Sequence, residues 1–408
     1  MSQNVQRTVI TNIGKIVSGD MEKGIIPGDT ILIENGHFAK IGSRNEVAAN
    51  GKATVIDANG LVAVPGLMDA HTHPYLEDYS PITKTVGWME TSLLGGTTSM
   101  LSATTFTSGM ILDPDFLTYM AVVAEKKYRT SRPGRFLKLH AGTVVLAKGL
   151  SERHFQIMAE NGVHLLSEIG CMGLAKPKEI KEMLGWAREY RMLISAHFGG
   201  RTVIGSSSIS VDEMLEINPD VVAHVNGGST AASVKNTMRL IQETDCALEL
   251  NFHGNIKVLH EVLKYLQERG ELKRAVFGSD MPVGTGLEAL AILRLISQVS
   301  SVNGLPAPQV IACATGNIAD LIGANTGKIE VGREADLLII DRPPDSLGKD
   351  ALGAIEAGDT VGTDLVMVDG QIVTLRGRDT RPTTTNIFID GVEQKMEEMS
   401  FDEWCFGK

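Results

Sequence analysis

VPGLMDAHTHP, residues 64–74, is an apolar run that ends in two histidines one residue apart. Side chains at positions i and i+2 of a strand point to the same side, so His71 and His73 are predicted to direct two imidazoles into one volume. Imidazole is a ligand that zinc, iron and manganese all accept. The run therefore predicts a buried strand with a candidate metal site at its C-terminal end.

Along the middle of the chain, short apolar runs alternate with amphipathic segments such as PKEIKEMLGWAREY. Apolar runs without strict alternation are typical of a parallel sheet covered by helices. Eight β/α units over roughly 250 residues predict an α/β fold, a (β/α)8 TIM barrel. The eight strand candidates are LVAVPGLMDAH, TTSMLSA, RFLKLHA, VHLLSEI, MLISAHF, VVAHV, CALELNF and RAVFGSD.

Both ends of the chain have a different, β-rich pattern. ENG and ANG punctuate the first part, and Asp-Gly turns punctuate the last part. We therefore expect a small β-sandwich domain built from residues 1–65 and 326–390, around a hydrolase barrel of residues 66–325. Residues 391–408 are expected to form a C-terminal tail, either a short amphipathic helix or a frayed terminus.

The composition is that of an ordinary globular protein and disfavours several partners. The chain has 408 residues, of which 43% are hydrophobic and 21% charged, and its formal net charge is −11. This acidic balance gives no reason to expect nucleic acid or a membrane as a partner, and no apolar run has membrane-spanning length. Four scattered cysteines and the lack of a signal-peptide pattern lead us to expect a cytoplasmic protein.

The predicted strand ends are rich in metal-ligating residue types, and the C-terminal ends of the strands are where a barrel of this kind carries its chemistry. Five of the ten histidines fall there. Four histidines and two carboxylates are too many ligands for one tetrahedral ion, so they suit two divalent metal ions that share a bridging carboxylate and a bridging hydroxide. Zinc, iron and manganese match these ligand types. The candidate ligands are His71, His73, Glu168, His197, His224 and Asp280.

Two further residues are candidates for substrate binding. His140 ends the third strand candidate, where it could polarise a carbonyl or hold a substrate carboxylate. Arg201 follows HFGG on the loop after the fifth strand and could pair with an anionic substrate. A structural hydrogen bond for His140 and a solvated loop position for Arg201 are open alternatives. The histidines interpreted as structural are His37, His154, His164 and His260.

Taken together, these motifs and the segment TGKIEVGREADLLIID resemble the amidohydrolase superfamily over nearly the whole chain. This resemblance implies a barrel flanked by a β-sandwich, with a metal centre at the barrel mouth. Longer strings, among them SAHFGG, HVNGGSTAASV and VFGSDMPVGTG, are similar to one of its families, the enamidases, which hydrolyse the cyclic enamide 6-oxo-1,4,5,6-tetrahydronicotinate.

The resemblance also implies how the candidate ligands divide between two metal ions. It assigns His71 and His73 to one ion and His197 and His224 to the other, with Glu168 as the bridge. Many superfamily members use a carboxylated lysine at this bridging position. The segment VHLLSEIGCMG contains no lysine, so no carbamate is needed. A homo-oligomer, a tetramer or a dimer, is a further implication.

By the same resemblance, Asp280 ligates a metal ion and shuttles the proton. The expected reaction is hydrolysis of a cyclic amide C–N bond by a metal-bridging hydroxide, with 6-oxo-1,4,5,6-tetrahydronicotinate giving 2-formylglutarate and ammonia. The end of the seventh strand, ELNFHGN, departs from the family pattern, which would place a polar pair at Phe252 and His253. We therefore expect Phe252 and His253 to contact the substrate and to influence which ring is bound.

Several alternatives stay open at this point. Another cyclic amidase, acting on a lactam, imide or hydantoin-like ring, would use the same ligands. A deaminase of the superfamily would need a glutamate at the position of Gly200, which counts against it. A non-catalytic scaffold would lack several of the ligands. A nucleophilic mechanism through Cys171 is disfavoured, because no GxSxG motif is present and the histidines match metal ligation.

Overall fold

The structure is a computed structural model of the chain. It describes residues 6–47, 51–74, 85–104, 113–201, 206–227, 231–282, 286–377 and 380–395. Most of the predicted C-terminal tail, from residue 396 onward, lies outside the described residues. Within the described ranges the chain forms a barrel in its middle part and two further sheets from its ends.

Strands and helices alternate through the barrel, whereas strands dominate both chain ends. The strands are β1 (Arg7–Thr11), β2 (Lys15–Val17), β3 (Ile25–Ile26), β4 (Thr30–Glu34), β5 (His37–Gly42), β6 (Thr54–Asp57), β7 (Val62–Pro65), β8 (Leu67–Thr72), β9 (Thr97–Ser102), β10 (Lys138–His140), β11 (Thr143–Val144), β12 (Leu165–Leu166), β13 (Ser195–His197), β14 (Val221–Ala223), β15 (Ala247–Asn251), β16 (Ala275–Gly278), β17 (Leu337–Asp341), β18 (Gly362–Val368), β19 (Gln371–Leu375), β20 (Phe388–Ile389) and β21 (Val392–Glu393). The α-helices are α1 (Thr85–Leu94), α2 (Pro114–Thr130), α3 (Glu152–Glu160), α4 (Pro177–Glu189), α5 (Val211–Ile217), α6 (Val234–Glu243), α7 (Ile256–Arg269), α8 (Ala291–Asn303), α9 (Ala307–Cys313), α10 (Gly316–Ile322) and α11 (Ala351–Ala357).

The barrel consists of eight parallel strand positions, β8, β9, β10 with β11, β12, β13, β14, β15 and β16, and each is followed by a helix. The recorded pairings between neighbouring strands are all parallel. A parallel bridge between Leu165 and Leu193 joins the fourth and fifth barrel strands. The ring closes where the N–H of Asp280 donates to the carbonyl of His71 at 2.9 Å. The predicted (β/α)8 barrel is thereby confirmed.

The third barrel strand differs from its prediction. It is interrupted at residues 141–142, so β10 pairs with β9 while its continuation, β11, pairs with β12. A Cβ atom at Gly142 would lie 2.8 Å from Cβ of Glu125 on α2, so a side chain would not fit there. His140 ends β10, as predicted, and a second short strand, β11, follows from Thr143 at the same barrel position.

The helices form where apolar periodicity and end signals agree. In α7 the side chain of Asn255 accepts the N–H of Val258 at 3.1 Å, and Gly270 ends the helix with φ 69°. The buried face of this helix includes Val262 and Leu266, which pack in the barrel core. Among the helices that the structure describes, none is both long and apolar enough to cross a bilayer.

Strands from both chain ends form two six-stranded sheets, as expected for the β-sandwich. The first runs β21-β20-β6-β1-β4-β5 and the second runs β19-β18-β17-β7-β2-β3. Strand β20 pairs with β6, and β17 pairs with β7, so each sheet joins N-terminal and C-terminal segments. Ile10, Ile56, Leu337 and Leu365 are buried in one apolar cluster between these strands. Because β21 continues the first sheet, this sheet reaches into the beginning of the predicted tail.

Candidate metal centre

The first histidine pair lies at the C-terminal end of β8. The Nε2 atoms of His71 and His73 are 3.2 Å apart, and both side chains are buried. Asp280, which follows β16, places its Oδ1 atom 2.9 Å from Nε2 of His73 and 3.5 Å from Nε2 of His71. Closure of the barrel therefore brings a carboxylate from the last strand to the histidines of the first.

The second pair consists of His197, the last residue of β13, and His224, which follows β14. Nδ1 of His197 lies 3.1 Å from Nε2 of His224. The other ring nitrogen of His197, Nε2, lies 2.7 Å from the carbonyl oxygen of Gly200. A carbonyl can only accept, so this contact places the proton on Nε2 and directs the Nδ1 lone pair toward the centre.

Glu168 lies between the two pairs and directs one carboxylate oxygen toward each. Its Oε1 atom is 2.6 Å from Nε2 of His224 and 3.2 Å from Nδ1 of His197. Its Oε2 atom is 3.5 Å from Nε2 of His71 and 3.9 Å from Nε2 of His73. This is the arrangement expected of a carboxylate that bridges two cations. We call the six residues His71, His73, Glu168, His197, His224 and Asp280 the ligand cluster.

Glu249 on β15 supports the ligand cluster, and sequence reasoning did not single it out. Its Oε2 atom lies 2.5 Å from Nδ1 of His71 and accepts the N–H of His224 at 3.1 Å. Since a carboxylate only accepts, the proton of His71 lies on Nδ1 and the Nε2 lone pair faces the cluster. Gly278 leaves room for this contact, because a Cβ atom there would lie 2.6 Å from Oε1 of Glu249.

Two residues of the ligand cluster adopt left-handed backbone conformations. The φ angles are 30° for His224 and 62° for Asp280, a region that non-glycine residues enter at a cost of about 1–3 kcal/mol. Both backbones are held by hydrogen bonds: Gly227 donates to the carbonyl of His224, and Asp280 donates to that of His71. Such conformations are common at functional sites, where surrounding structure enforces them.

The electrostatics of the cluster favour charged carboxylates. Burial alone would raise the pKa of Glu168, but the positive charge of a protonated His224 beside it holds it well below its usual range. Burial alone would lower the pKa of His71, but the carboxylates of Glu249 and Glu168 raise it well above its ordinary value. The buried negative charge therefore attracts positive charge, which protons supply here and which a metal cation would also supply.

The donor set fits a pair of metal ions. The candidate ligand atoms form two groups, each within 4.8 Å, and Glu168 belongs to both. Ring nitrogens that carry lone pairs face one another at 3.1–3.2 Å, which is a favourable arrangement only when a cation or a proton lies between them. The two groups are His71, His73 and Glu168, and Glu168, His197 and His224.

Similarity to known proteins identifies the family of the chain. Residues 62–373 match the sequence model of the Amidohydrolase family. The chain belongs to this family. Enamidase from Eubacterium barkeri is 40% identical to this amidohydrolase over 380 residues, which cover 93% of this chain and 98% of that protein. A crystal structure of enamidase matches with a TM-score of 0.91 and 39% identity, covering 94% of this chain and 100% of the other.

One more distant sequence relative and one more distant solved structure also match the chain. A 5'-deoxyadenosine deaminase from Methanosarcina mazei is 22% identical, covering 82% of this chain and 84% of that protein. The structure of a D-hydantoinase from Thermus sp. has a TM-score of 0.66 at 16% identity, covering 92% of this chain and 97% of the other. With its family and its similarity to enamidase, this amidohydrolase is a hydrolase that acts on an amide C–N bond.

The amidohydrolase places two of the predicted substrate residues near the ligand cluster. Asn251, the last residue of β15, pairs with Gly278, the last residue of β16. His253 and Asp280 each lie two residues farther along the chain, so they leave the two neighbouring strands at the same level. The rings of Phe252 and His253 meet edge to face with centroids 5.0 Å apart. Nε2 of His253 is buried and has no hydrogen-bond partner among the described residues.

The other two predicted substrate residues lie differently. Arg201 is exposed on the loop that follows His197 and Gly200. His140 does not join the ligand cluster. It lines a cavity with His164, which precedes β12, at the N-terminal mouth of the barrel. His140 therefore lies apart from the ligand cluster, and its contact with a substrate stays a prediction.

Three of the four histidines predicted to be structural, His37, His154 and His260, make local contacts. Ser151 and His154 form a capping box at the start of α3, and Nδ1 of His260 contacts Oδ1 of Asn303. Nδ1 of His37 lies 3.0 Å from a turn carbonyl.

The sequence signal for Glu249 was weaker than the signal for the six residues of the ligand cluster. In ALELN a charged residue occupies an inward position of a barrel strand, which is unfavourable unless it is paired.

Proposed function

We propose that this amidohydrolase hydrolyses the cyclic enamide 6-oxo-1,4,5,6-tetrahydronicotinate at a centre of two divalent metal ions, giving 2-formylglutarate and ammonia. One observation carries the two-ion part of this proposal: Glu168 directs Oε1 toward one histidine pair and Oε2 toward the other. The similarity to enamidase over nearly the whole chain supports the choice of substrate.

Each ion would have two histidines of its own and one oxygen of Glu168, with Asp280 on the side of the first pair. Bound divalent metal ions lower the pKa of a water molecule to near neutrality and polarise a carbonyl group. Imidazole and carboxylate ligands suit zinc, iron or manganese. The residues that would hold the ions are His71, His73 and Asp280 for the first, His197 and His224 for the second, and Glu168 for both.

Asp280 is the proposed proton carrier. Burial would raise its pKa, but its contacts with His73 and His71 lower it, so the carboxylate is ready to accept a proton. Asp280 takes a proton from the attacking water while the water oxygen bonds to the amide carbon. It then gives that proton to the ring nitrogen as the C–N bond breaks. The resulting enamine tautomerises to an imine, and a second water molecule releases ammonia in solution.

The end of β15 is the proposed wall of the substrate pocket. His253 can donate from its unpartnered Nε2 to a substrate oxygen, and Phe252 offers an apolar edge to the ring. The guanidinium of Arg294 lies 5.8 Å from the Phe252 ring centroid and is paired with Glu288 at 3.1 Å, so it supports the ring without adding net charge. Arg201, exposed on its loop, is the proposed partner of the substrate carboxylate.

The deaminase alternative finds less support in the site. A deaminase of this superfamily would use a glutamate three residues after the strand-five histidine. Here that residue is Gly200, and it supplies only a backbone carbonyl to Nε2 of His197. Asp280 is therefore the proposed source of the proton for a substrate at the cluster.

Loss of each compound from a panel, followed by liquid chromatography, together with ammonia release tests the proposal, because hydrolysis of a lactam or hydantoin opens the ring without releasing ammonia. The panel contains 6-oxo-1,4,5,6-tetrahydronicotinate, its ring-saturated lactam, hydantoin and 5'-deoxyadenosine, each with the metal-loaded full-length protein. The proposal expects the enamide to be turned over fastest. Turnover of hydantoin or the saturated lactam alone would still support a cyclic amidase with this metal centre, but it would contradict the enamide as substrate. Release from 5'-deoxyadenosine alone would contradict the amide-hydrolase proposal.

A further inference from the structure

A cavity of about 530 Å³ opens at the N-terminal ends of the barrel strands, at the mouth opposite to the ligand cluster. Its lining includes Leu165 at the start of β12, Leu193 just before β13 and Asp220 just before β14. Because the strands are parallel, these positions share one end of the barrel. A volume of about 300–1,000 Å³ is typical of small-molecule sites. The cavity is large enough for such a ligand.

Positive charge without a protein partner lines this cavity. The side chain of Arg191 is exposed and forms no hydrogen bond or ion pair with any residue that the structure describes. The same holds for the imidazole of His164. Arg188 donates one nitrogen to the carbonyls of Ile217 and Asn218 and retains its other donors. These side chains come from the end of α4 and the start of β12, and together they offer a guanidinium pair and an imidazole.

The two carboxylates of the lining are already engaged. Glu125 accepts from both Nε and Nη2 of Arg129, one turn along α2. Oδ2 of Asp220 accepts the N–H of Ile194 at 2.8 Å. The charges of Glu125 and Arg129 offset each other, so Arg188 and Arg191 outnumber Asp220. The local excess of charge is therefore positive, which favours an anion.

The inner wall of the cavity combines apolar surface with one unused polar group. Leu193, Leu321 and Ile322 are only partly buried and face the cavity. Nε2 of His140 is buried without a hydrogen-bond partner among the described residues. Burial, with the charges of Arg129 and Lys138, lowers the pKa of His140 to about 4. The imidazole of His140 is therefore neutral near pH 7 and adds no charge to this wall.

We propose that this cavity is a second ligand site, which binds a small organic anion with a carboxylate on a short apolar body. Arg191 and His164 contact the carboxylate, and Leu193, Leu321 and Ile322 contact the body. The site is separate from the reaction centre. Leu165, Leu193 and Leu321 also line a small inner cavity below His71, so a layer of side chains lies between the two sites.

Isothermal titration calorimetry of the metal-loaded full-length protein with glutarate tests this proposal. We expect saturable binding that Arg191→Gln weakens at least tenfold, or about 1.4 kcal/mol, while kcat/KM for the enzyme's substrate is unchanged. Arg153→Gln, on the exposed face of α3 outside the cavity, is the matched control and should bind glutarate normally. Glutarate resembles the proposed product, so the comparison of Arg191→Gln with wild type, at a residue outside the ligand cluster, is what separates this cavity from the metal centre.

Two further measurements separate the alternatives. Ile322→Thr should weaken the binding of glutarate and leave any binding of inorganic phosphate unaffected, because only glutarate has an apolar body. Phosphate that binds as tightly as glutarate would overturn the assignment of a carboxylate ligand. Equal glutarate affinity in wild type and Arg191→Gln, or heat no larger than that of chloride at matched ionic strength, would overturn the site itself.

Discussion

Oε2 of Glu249 lies 2.5 Å from Nδ1 of His71, and the same oxygen accepts the backbone N–H of His224 at 3.1 Å. One buried carboxylate on β15 thus contacts a member of each histidine pair. It fixes the tautomer of His71 and helps to hold the left-handed backbone of His224. Outer carboxylates of this kind orient metal-binding imidazoles and raise their basicity.

Glu249→Gln is expected to weaken metal binding about 10- to 100-fold, because glutamine retains the shape but loses the charge that stabilises the His71 Nδ1 proton. The measurement is metal content by mass spectrometry after dialysis against a series of chelator concentrations. Glu268→Gln, at an exposed position of α7, is the matched control. Thermal unfolding of both metal-free variants checks for a general loss of stability. Metal retention equal to that of the control would show that Glu249 does not position His71.

The shared position of Glu168 predicts different losses for different ligand variants. Glu168→Gln should reduce the content of both metal ions, since its two oxygens face both histidine pairs. His224→Asn should cost about one ion per chain, because it belongs to one pair only. Metal analysis of the purified variants measures this directly. If both variants lost the same single equivalent, Glu168 would not be a bridge.

Asp280→Asn should lower turnover by about 100- to 10,000-fold, the range expected when a general acid–base group is removed. Metal should be retained in part, because His71 and His73 still supply nitrogens for the first ion. The assay is ammonia release, with metal content measured on the same sample. Near-wild-type turnover in this variant would exclude Asp280 as the proton carrier.

Asp364 in the β-sandwich predicts a pH effect away from the catalytic centre. Burial, with the nearby carboxylate of Asp341, raises its pKa to about 7. Between the unfolded value and this folded value, the folded protein binds more protons, so stability falls as pH rises through that window. Asp364→Asn removes this dependence and should be increasingly stabilising, relative to wild type, from pH 5 to pH 8.

Urea unfolding of the metal-loaded protein at several pH values measures this difference. Asp245→Asn, at an exposed position, is the control and should track wild type. A stability difference between Asp364→Asn and wild type that did not grow with pH would contradict a raised pKa at this site. Loss of metal at low pH would also change the unfolding curve, so the metal content is measured at each pH.

Much of the fold could be predicted because it depends on local patterns. The run that contains His71 and His73 is apolar on consecutive residues, as a strand covered on both sides requires. The prediction was less accurate where tertiary packing decides. The apolar segment 61–71 is split at Gly66, so that β7 joins the sandwich and β8 joins the barrel. The break before Thr143 depends on the close approach of α2, which no local pattern shows.

The ligand cluster was accessible from sequence because its members follow strand ends in barrel order, so topology alone brings them together. Glu249 was not, since its role depends on which face of β15 points inward and on the space left by Gly278. The surroundings of His140 were hidden for a related reason. His140 ends β10, as the apolar run indicates, but the chain continues for one more short strand at the same barrel position.

The most direct test of the central claim is to titrate metal-free protein with zinc, iron(II) or manganese and to follow ammonia release from 6-oxo-1,4,5,6-tetrahydronicotinate. The account predicts that hydrolysis rises until about two equivalents of metal per chain are bound and then levels off. Full activity at about one equivalent, or activity that does not depend on added metal, would contradict a centre in which Glu168 bridges two ions.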